Sequence, residues 1–315
     1  MRLALLFSPQ GSQVVGMGRD LAERSAAARA VFHEADATLG WSVSSTCWEG
    51  PAERLNDTRQ TQPCLLATSV AASRALEEQG APAPEVVAGH SVGEFAALVV
   101  ADVLTLAAAL RLVSRRAELM AGADTEGGMA AVLGLDRAAV EAVVTEFARP
   151  TELVVANDNA PGQVVISGQR GALDAVEEPL RAAGARRFLR LPVSGAFHSP
   201  LMAGISEALA TAFEAEDWRD ARIPVMSNAT ADALTDAPRI RASLAEQVRS
   251  PVEWVGCVQR MVADGVDTMI ECGSGAALTG MVKRIAPDVR TGTVTDATTL
   301  ESALNLLVRP AHVTA

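Results

Sequence analysis

Residues 89–93 read Gly-His-Ser-Val-Gly, a G-x-S-x-G pentad with Ser91 at its centre. A serine hydroxyl at its ordinary pKa is a poor nucleophile and needs a nearby base. The chain has no tyrosine and four histidines, His33, His90, His198 and His312. His90 is adjacent to Ser91, so its side chain should point away from that of Ser91. His33 falls in a helical segment and His312 in the tail. His198 lies in VSGAFHSPLM, in a loop just after an expected strand, and is the best candidate for the base. Such a pair would support acyl chemistry through an acyl-serine.

The third candidate is Arg116, in LAAALRLVSRRAELM (106–120). At about 100° per residue, Arg111, Ser114, Arg115 and Glu118 share a polar face, while Arg116 falls in the apolar sector near Ala109, Leu112 and Met120. An inward-facing guanidinium needs an anion, because an unpaired buried charge is costly. Either an internal carboxylate or a ligand would satisfy it.

These residues need a scaffold. Val86–Ala88 reads as a short strand before Ser91, and EFAALVVA after it is compatible with a helix. Strand, pentad and helix together form the context of a nucleophile elbow. The glycines let the backbone turn tightly, and the turn sets Ser91 at a helix N-terminus, where free N–H groups favour an oxyanion. Short apolar runs alternate with helical segments along the whole chain, which predicts an α/β fold with a parallel sheet. Expected strands include Leu3–Phe7, Val225–Asn228 and Thr268–Glu271. Expected helices include Val31–Leu39, Gln62–Gln79, Leu106–Met120 and Val252–Ala263. Between 127 and 191 the order strand–helix–strand–strand–helix–strand predicts a ferredoxin-like subdomain. Its helices are expected at Arg137–Phe147 and Gly171–Ala183, with Gly127-Gly128 and Pro192 bracketing the block. It would be inserted in a larger unit made of 1–126 and 192–315, and the tail after Arg309 is expected to fray.

Composition narrows the partners. The net charge of the 315-residue chain is −11, which argues against nucleic acid as a general partner. The four cysteines, Cys47, Cys64, Cys257 and Cys272, have no metal-ligand spacing and read as reduced, buried thiols. No metal site is expected. The apolar stretch Ala96–Val113 carries Asp102 and Arg111, so no membrane span is expected, and the protein should be cytoplasmic.

Several segments together resemble the malonyl-CoA:acyl carrier protein transacylases. They are FSPQGSQ (7–13), GHSVGE (89–94), ANDNAPGQVVISG (156–168) and GAFHS (195–199), followed by SPVEW (250–254) and ECGSGAALTGMVKRI (271–285). The resemblance covers nearly the whole chain and implies an α/β-hydrolase-like large domain with the ferredoxin-like insert. It implies a Ser91–His198 dyad whose histidine is oriented by the backbone carbonyl of Gln247. It also implies an oxyanion hole from Val92 and Gln10, and an Arg116 that grips the malonyl carboxylate. Phe197, just before the histidine, would crowd a branch on the acyl α-carbon and favour malonyl over methylmalonyl; His90 is placed with the substrate. Two departures stand out. Pro9 replaces the glycine usual before Gln10, and Gly195 replaces a histidine usual in the malonyl pattern.

The resemblance therefore implies a ping-pong acyltransferase. It would use acyl-CoA and an acyl carrier protein, need no metal or redox cofactor, and act as a monomer. Because carrier proteins are usually acidic, a local basic surface is expected to dock one, either Arg186, Arg187 and Arg190 or Lys283 and Arg284. The nearest rival is an editing acyl hydrolase of the same fold, which would keep the dyad but would not need Arg116.

Overall fold

The computed structural model describes residues 1–123, 126–149, 151–193 and 195–308. His312 and the tail expected to fray lie outside these residues. Ten strands form two sheets: β1 Leu3–Phe7, β2 Val86–Gly89, β3 Gly127–Leu133, β4 Leu153–Ala160, β5 Gln163–Gln169, β6 Arg187–Arg190, β7 Val225–Met226, β8 Ala233–Leu234, β9 Thr268–Cys272 and β10 Arg290–Val294. The large sheet has the order β10-β9-β1-β2-β7-β8. All its pairings are parallel except β7 with β8. Its central strands are buried on both faces, as a sheet covered by helices requires.

The second sheet is antiparallel, in the order β4-β5-β3-β6. Counted within the block this is 2-3-1-4, the ferredoxin-like arrangement. The helices Arg137–Phe147 and Arg170–Ala182 pack Val140, Val144, Leu173, Val176 and Leu180 onto one face of it. The molecule is thus an α/β fold with a ferredoxin-like second unit.

Several expected boundaries shift. Gly127 and Gly128, expected to bracket the block, are themselves the first residues of β3. β7 ends at Met226, so Ser227 and Asn228 leave the sheet. The helix expected from Val252 starts at Trp254. Val252 instead pairs with β4: its N–H donates to Ala156 O at 2.8 Å, and its carbonyl accepts from the Asp158 N–H at 3.0 Å. Arg137, held by Glu141 on its own helix, reinforces that junction by pairing with Glu253. β8 and β10 were not expected, because one is two residues long and the other, RTGTV, is polar and half-buried.

The parallel strands direct their C-terminal ends to one edge, where an open α/β sheet binds ligands. β1 and β2 lie side by side with Phe7 opposite Gly89. A Cβ built on Gly93 would collide with the carbonyl oxygen of Phe7, and one on Gly89 would collide with the Gly93 backbone. Both pentad glycines are therefore required by backbone crowding. Gly93→Ala should destabilise the protein by about 3 kcal/mol in denaturant titration, an overpacking cost without a side chain able to yield. Gly280→Ala, exposed in mid-helix with nothing within 4 Å of its Cβ, should instead stabilise by about 0.5–1 kcal/mol.

Candidate active site

Ser91 sits between β2 and the helix Gly93–Val100 with φ 53°, in the left-handed region. Such a conformation costs a non-glycine residue free energy and persists only when its surroundings fix it. Asn228, in the loop after β7, does so. Its Oδ1 accepts from the Ser91 N–H at 2.6 Å, and its Nδ2 donates to Gly89 O at 2.7 Å.

The structure brings His198 to Ser91, with Nε2 2.8 Å from Oγ. His198 Nδ1 is 2.9 Å from Gln247 O and 3.3 Å from Ser250 O. Both carbonyls only accept, so Nδ1 carries the proton and Nε2 presents a lone pair to the serine hydroxyl. Burial first, and then the Arg116 charge, push the His198 pKa down to about 3. The imidazole is neutral at neutral pH.

Arg116 is only 1% exposed. Its NH1 donates to Gln62 Oε1 at 2.6 Å, and its NH2 donates to Ser91 Oγ and Gln247 Oε1, both at 3.1 Å. All three acceptors are neutral oxygens, and Nε has no partner among the described residues. Burial lowers the guanidinium pKa to about 10, while the nearby Glu94 charge opposes that shift. The cation remains charged, with no carboxylate among the described residues bonded to it.

Val92 follows Ser91 at the helix start, and neither its N–H nor that of Gln10 donates to an acceptor among the described residues. The Gln10 side chain turns away to Thr58, with Nε2 to Oγ1 at 3.0 Å. The left-handed residue of this loop is Gly11, at φ 98°. Pro9 therefore keeps its fixed φ and needs no forbidden conformation. Phe197 is buried among Met120, Met129, Val165 and Met202. Its ring lies over Gly195, where an added Cβ would meet Cε1 at 2.8 Å. The ring thus occupies the space that a side chain at 195 would fill.

His90 points away from Ser91, as expected. Its ring packs 5.5 Å from Trp254, and its Nε2 meets Asn159 Oδ1 of β4 at 2.8 Å. It is buried, and burial lowers its pKa to about 4. It joins the two units, and no contact links it to the Ser91 hydroxyl. His33 is exposed on the helix Ala26–Leu39, away from the site. All four cysteines are free and buried.

Sequence reasoning missed Glu94, Asn228, Gln62 and Asn159. Glu94 had a signal, as the one charge in the apolar run EFAALVVA. The other three are neutral amides whose partners lie far away in sequence. Among the described residues no group of His, Cys, Asp and Glu could hold a metal, and no helix is long and apolar enough to cross a membrane.

Residues 4–300 match the family model described as acyl transferase domain. The malonyl CoA-acyl carrier protein transacylase of Bacillus subtilis (strain 168) is 42% identical over 309 residues, covering 97% of each chain. An acyl-carrier-protein S-malonyltransferase from Burkholderia pseudomallei 1710b superposes with a TM-score of 0.94 at 39% identity, over 97% of this chain and 100% of that one. A malonyl-transacylase solved in complex with a type II PKS acyl-carrier protein also gives a TM-score of 0.94, at 38% identity over 97% of this chain and all of its own. With Ser91, His198 and the buried Arg116 assembled at the sheet edge and a family model that matches nearly the whole chain, this chain belongs to the acyl transferase family.

Proposed function

We propose that this protein transfers a malonyl group from coenzyme A to the phosphopantetheine thiol of an acyl carrier protein, through malonyl-Ser91. The observation that carries the reading is a buried guanidinium, bonded only to neutral oxygens, 3.1 Å from the nucleophile. In a malonyl group, the carboxylate carbon and the reacting carbonyl carbon are joined through two C–C bonds of about 1.5 Å, a span of about 2.5 Å. A cation this close to Oγ can hold the carboxylate while Oγ attacks the thioester carbon. An acyl hydrolase working on neutral chains has no use for it.

His198 Nε2 takes the Ser91 proton as Oγ bonds to the thioester carbon. The Val92 and Gln10 N–H groups face the developing oxyanion. The tetrahedral adduct collapses, the C–S bond breaks and the imidazolium protonates the leaving thiolate of coenzyme A. The carrier thiol then gives its proton to His198, attacks the acyl-serine, and the serine oxygen leaves with the proton back from the imidazolium. Acyl transfer of this kind requires no metal or redox cofactor. Phe197, buried beside the dyad, limits space at the acyl α-carbon and favours an unbranched malonyl. The reading places the enzyme in the cytoplasm as a monomer.

The carrier should approach the basic groove formed where the late helix meets the second sheet. Arg186, Arg187 and Arg284 line a cavity of about 600 Å³ together with Gly134, Gly162 and Gln163. Arg284 of the later cluster thus meets Arg186 and Arg187 of the earlier one here, while Lys283 does not line the cavity. Arg190, on the same strand, is paired with Asp174 instead, and Arg186 lies just before the strand.

Incubation with malonyl-CoA followed by peptide mapping should place the added mass on Ser91; loading elsewhere would refute the mechanism. Arg116→Ala should lower the ratio of malonyl to acetyl loading about 100-fold or more, since charged hydrogen bonds contribute ~1.5–3 kcal/mol each. An unchanged ratio would remove the carboxylate clamp. His198 should stay neutral in ¹⁵N NMR as pH falls from about 8 to 5, because burial disfavours the imidazolium. A midpoint near the ordinary 6.5 would contradict that environment. Reversing Arg186, Arg187 and Arg284 together to glutamate should slow transfer from malonyl-Ser91 to carrier about tenfold at low salt, with the gap closing as salt rises. Equal rates at every salt would exclude this surface.

A further inference from the structure

Glu94 is a buried acid that the steps above do not use. It is 2% exposed, and burial raises its pKa to about 7. Its Oε2 accepts from Gln247 Nε2 at 2.7 Å and from the Asn228 N–H at 3.2 Å. Gln247 Nε2 also donates to Ser91 O at 3.0 Å. Both neighbours of Nε2 are therefore acceptors, and together they dictate which end of the amide faces them. The other end, Oε1, must then face Arg116 NH2, as it does at 3.1 Å. A reversed amide would set oxygen against two oxygens and an NH2 group against a guanidinium.

We propose that Glu94 is a positioning residue for Arg116, acting through the side-chain amide of Gln247, and that it thereby sets the preference for acyl groups ending in a carboxylate. The inference rests on the malonyl-transfer reading and names a selectivity determinant of that same site. The placement has a physical reason. A carboxylate bonded directly to Arg116 would compete with the substrate carboxylate for the same N–H groups. One neutral amide between them keeps the guanidinium aimed at the Ser91 hydroxyl by an oxygen acceptor, while its charge stays open to the substrate.

The test compares second-order rates of Ser91 loading by malonyl-CoA and acetyl-CoA, read by intact mass. In Glu94→Ala, Gln247 loses the acceptor that orients it, and the malonyl-to-acetyl ratio should fall about tenfold or more, chiefly through the malonyl KM. Glu94→Gln can present an oxygen to both donors and should keep the ratio within about threefold. Gln247→Met keeps the backbone carbonyl that orients His198 but deletes the amide. It should lower the ratio as Glu94→Ala does, and combining the two should add little further. Parallel loss of both substrates in the folded Glu94→Ala protein would overturn the proposal, as would a Glu94→Gln ratio as low as that of Glu94→Ala. If Glu94→Ala does not fold, an unchanged ratio in Gln247→Met overturns it alone. Failure of the malonyl reading looks different: Arg116→Ala itself would leave the ratio unchanged.

Discussion

A fully buried guanidinium with no carboxylate bonded to it is costly, because desolvation of a charge is several kcal/mol even after the surroundings relax. Arg116 persists because three neutral oxygens, from Gln62, Ser91 and Gln247, take its N–H groups. Those oxygens come from the long helix Thr58–Glu78, the elbow and the end of the helix Ala237–Gln247. The cation therefore ties three distant segments to one point. Among the described residues the same arrangement leaves its charge uncompensated by any direct ion pair, which suits it to an anionic acyl group.

The elbow and the histidine obey a related constraint. Ser91 and His198 both have positive φ, 53° and 58°. Each is held by hydrogen bonds from segments remote in sequence. Asn228 holds the backbone of Ser91, and the carbonyls of Gln247 and Ser250 hold the His198 ring. Four residues after Gln247, the chain reaches Pro251 and then Val252, which pairs with β4. One short segment thus orients the His198 ring and joins the second unit to the first. Arg137 with Glu253, and His90 with Asn159, add to that junction. The position of the ferredoxin-like unit and the geometry of the dyad are set by the same stretch of chain.

Much of this was legible in the residues. Alternating apolar runs and helical periods imply the α/β fold, since a sheet covered on both faces needs continuous apolar strands. The order of elements between 127 and 191 implies the ferredoxin-like unit. Short and polar strands such as β8 and β10 escaped, because two residues or a half-buried RTGTV carry no period. The helical phase of Arg116 pointed inward correctly, since a helix fixes which face each residue takes. Phase cannot say whether the partner is an acid or an amide.

Local sequence determined the elbow, because Gly89 and Gly93 are required by contacts within a few residues and with the adjacent strand. It also fixed the inward direction of Arg116 and the loop setting of His198. The pairing of His198 with Ser91, separated by 107 positions, and its orientation by the Gln247 carbonyl were expected from the candidate residues and the family resemblance, but only the tertiary structure brings these groups into hydrogen-bond contact. Tertiary structure alone placed Glu94 one amide away from Arg116 rather than against it. The physical reason is that hydrogen-bond polarity is set by which groups meet in space, and neutral amides carry no pattern along the chain to announce their partners.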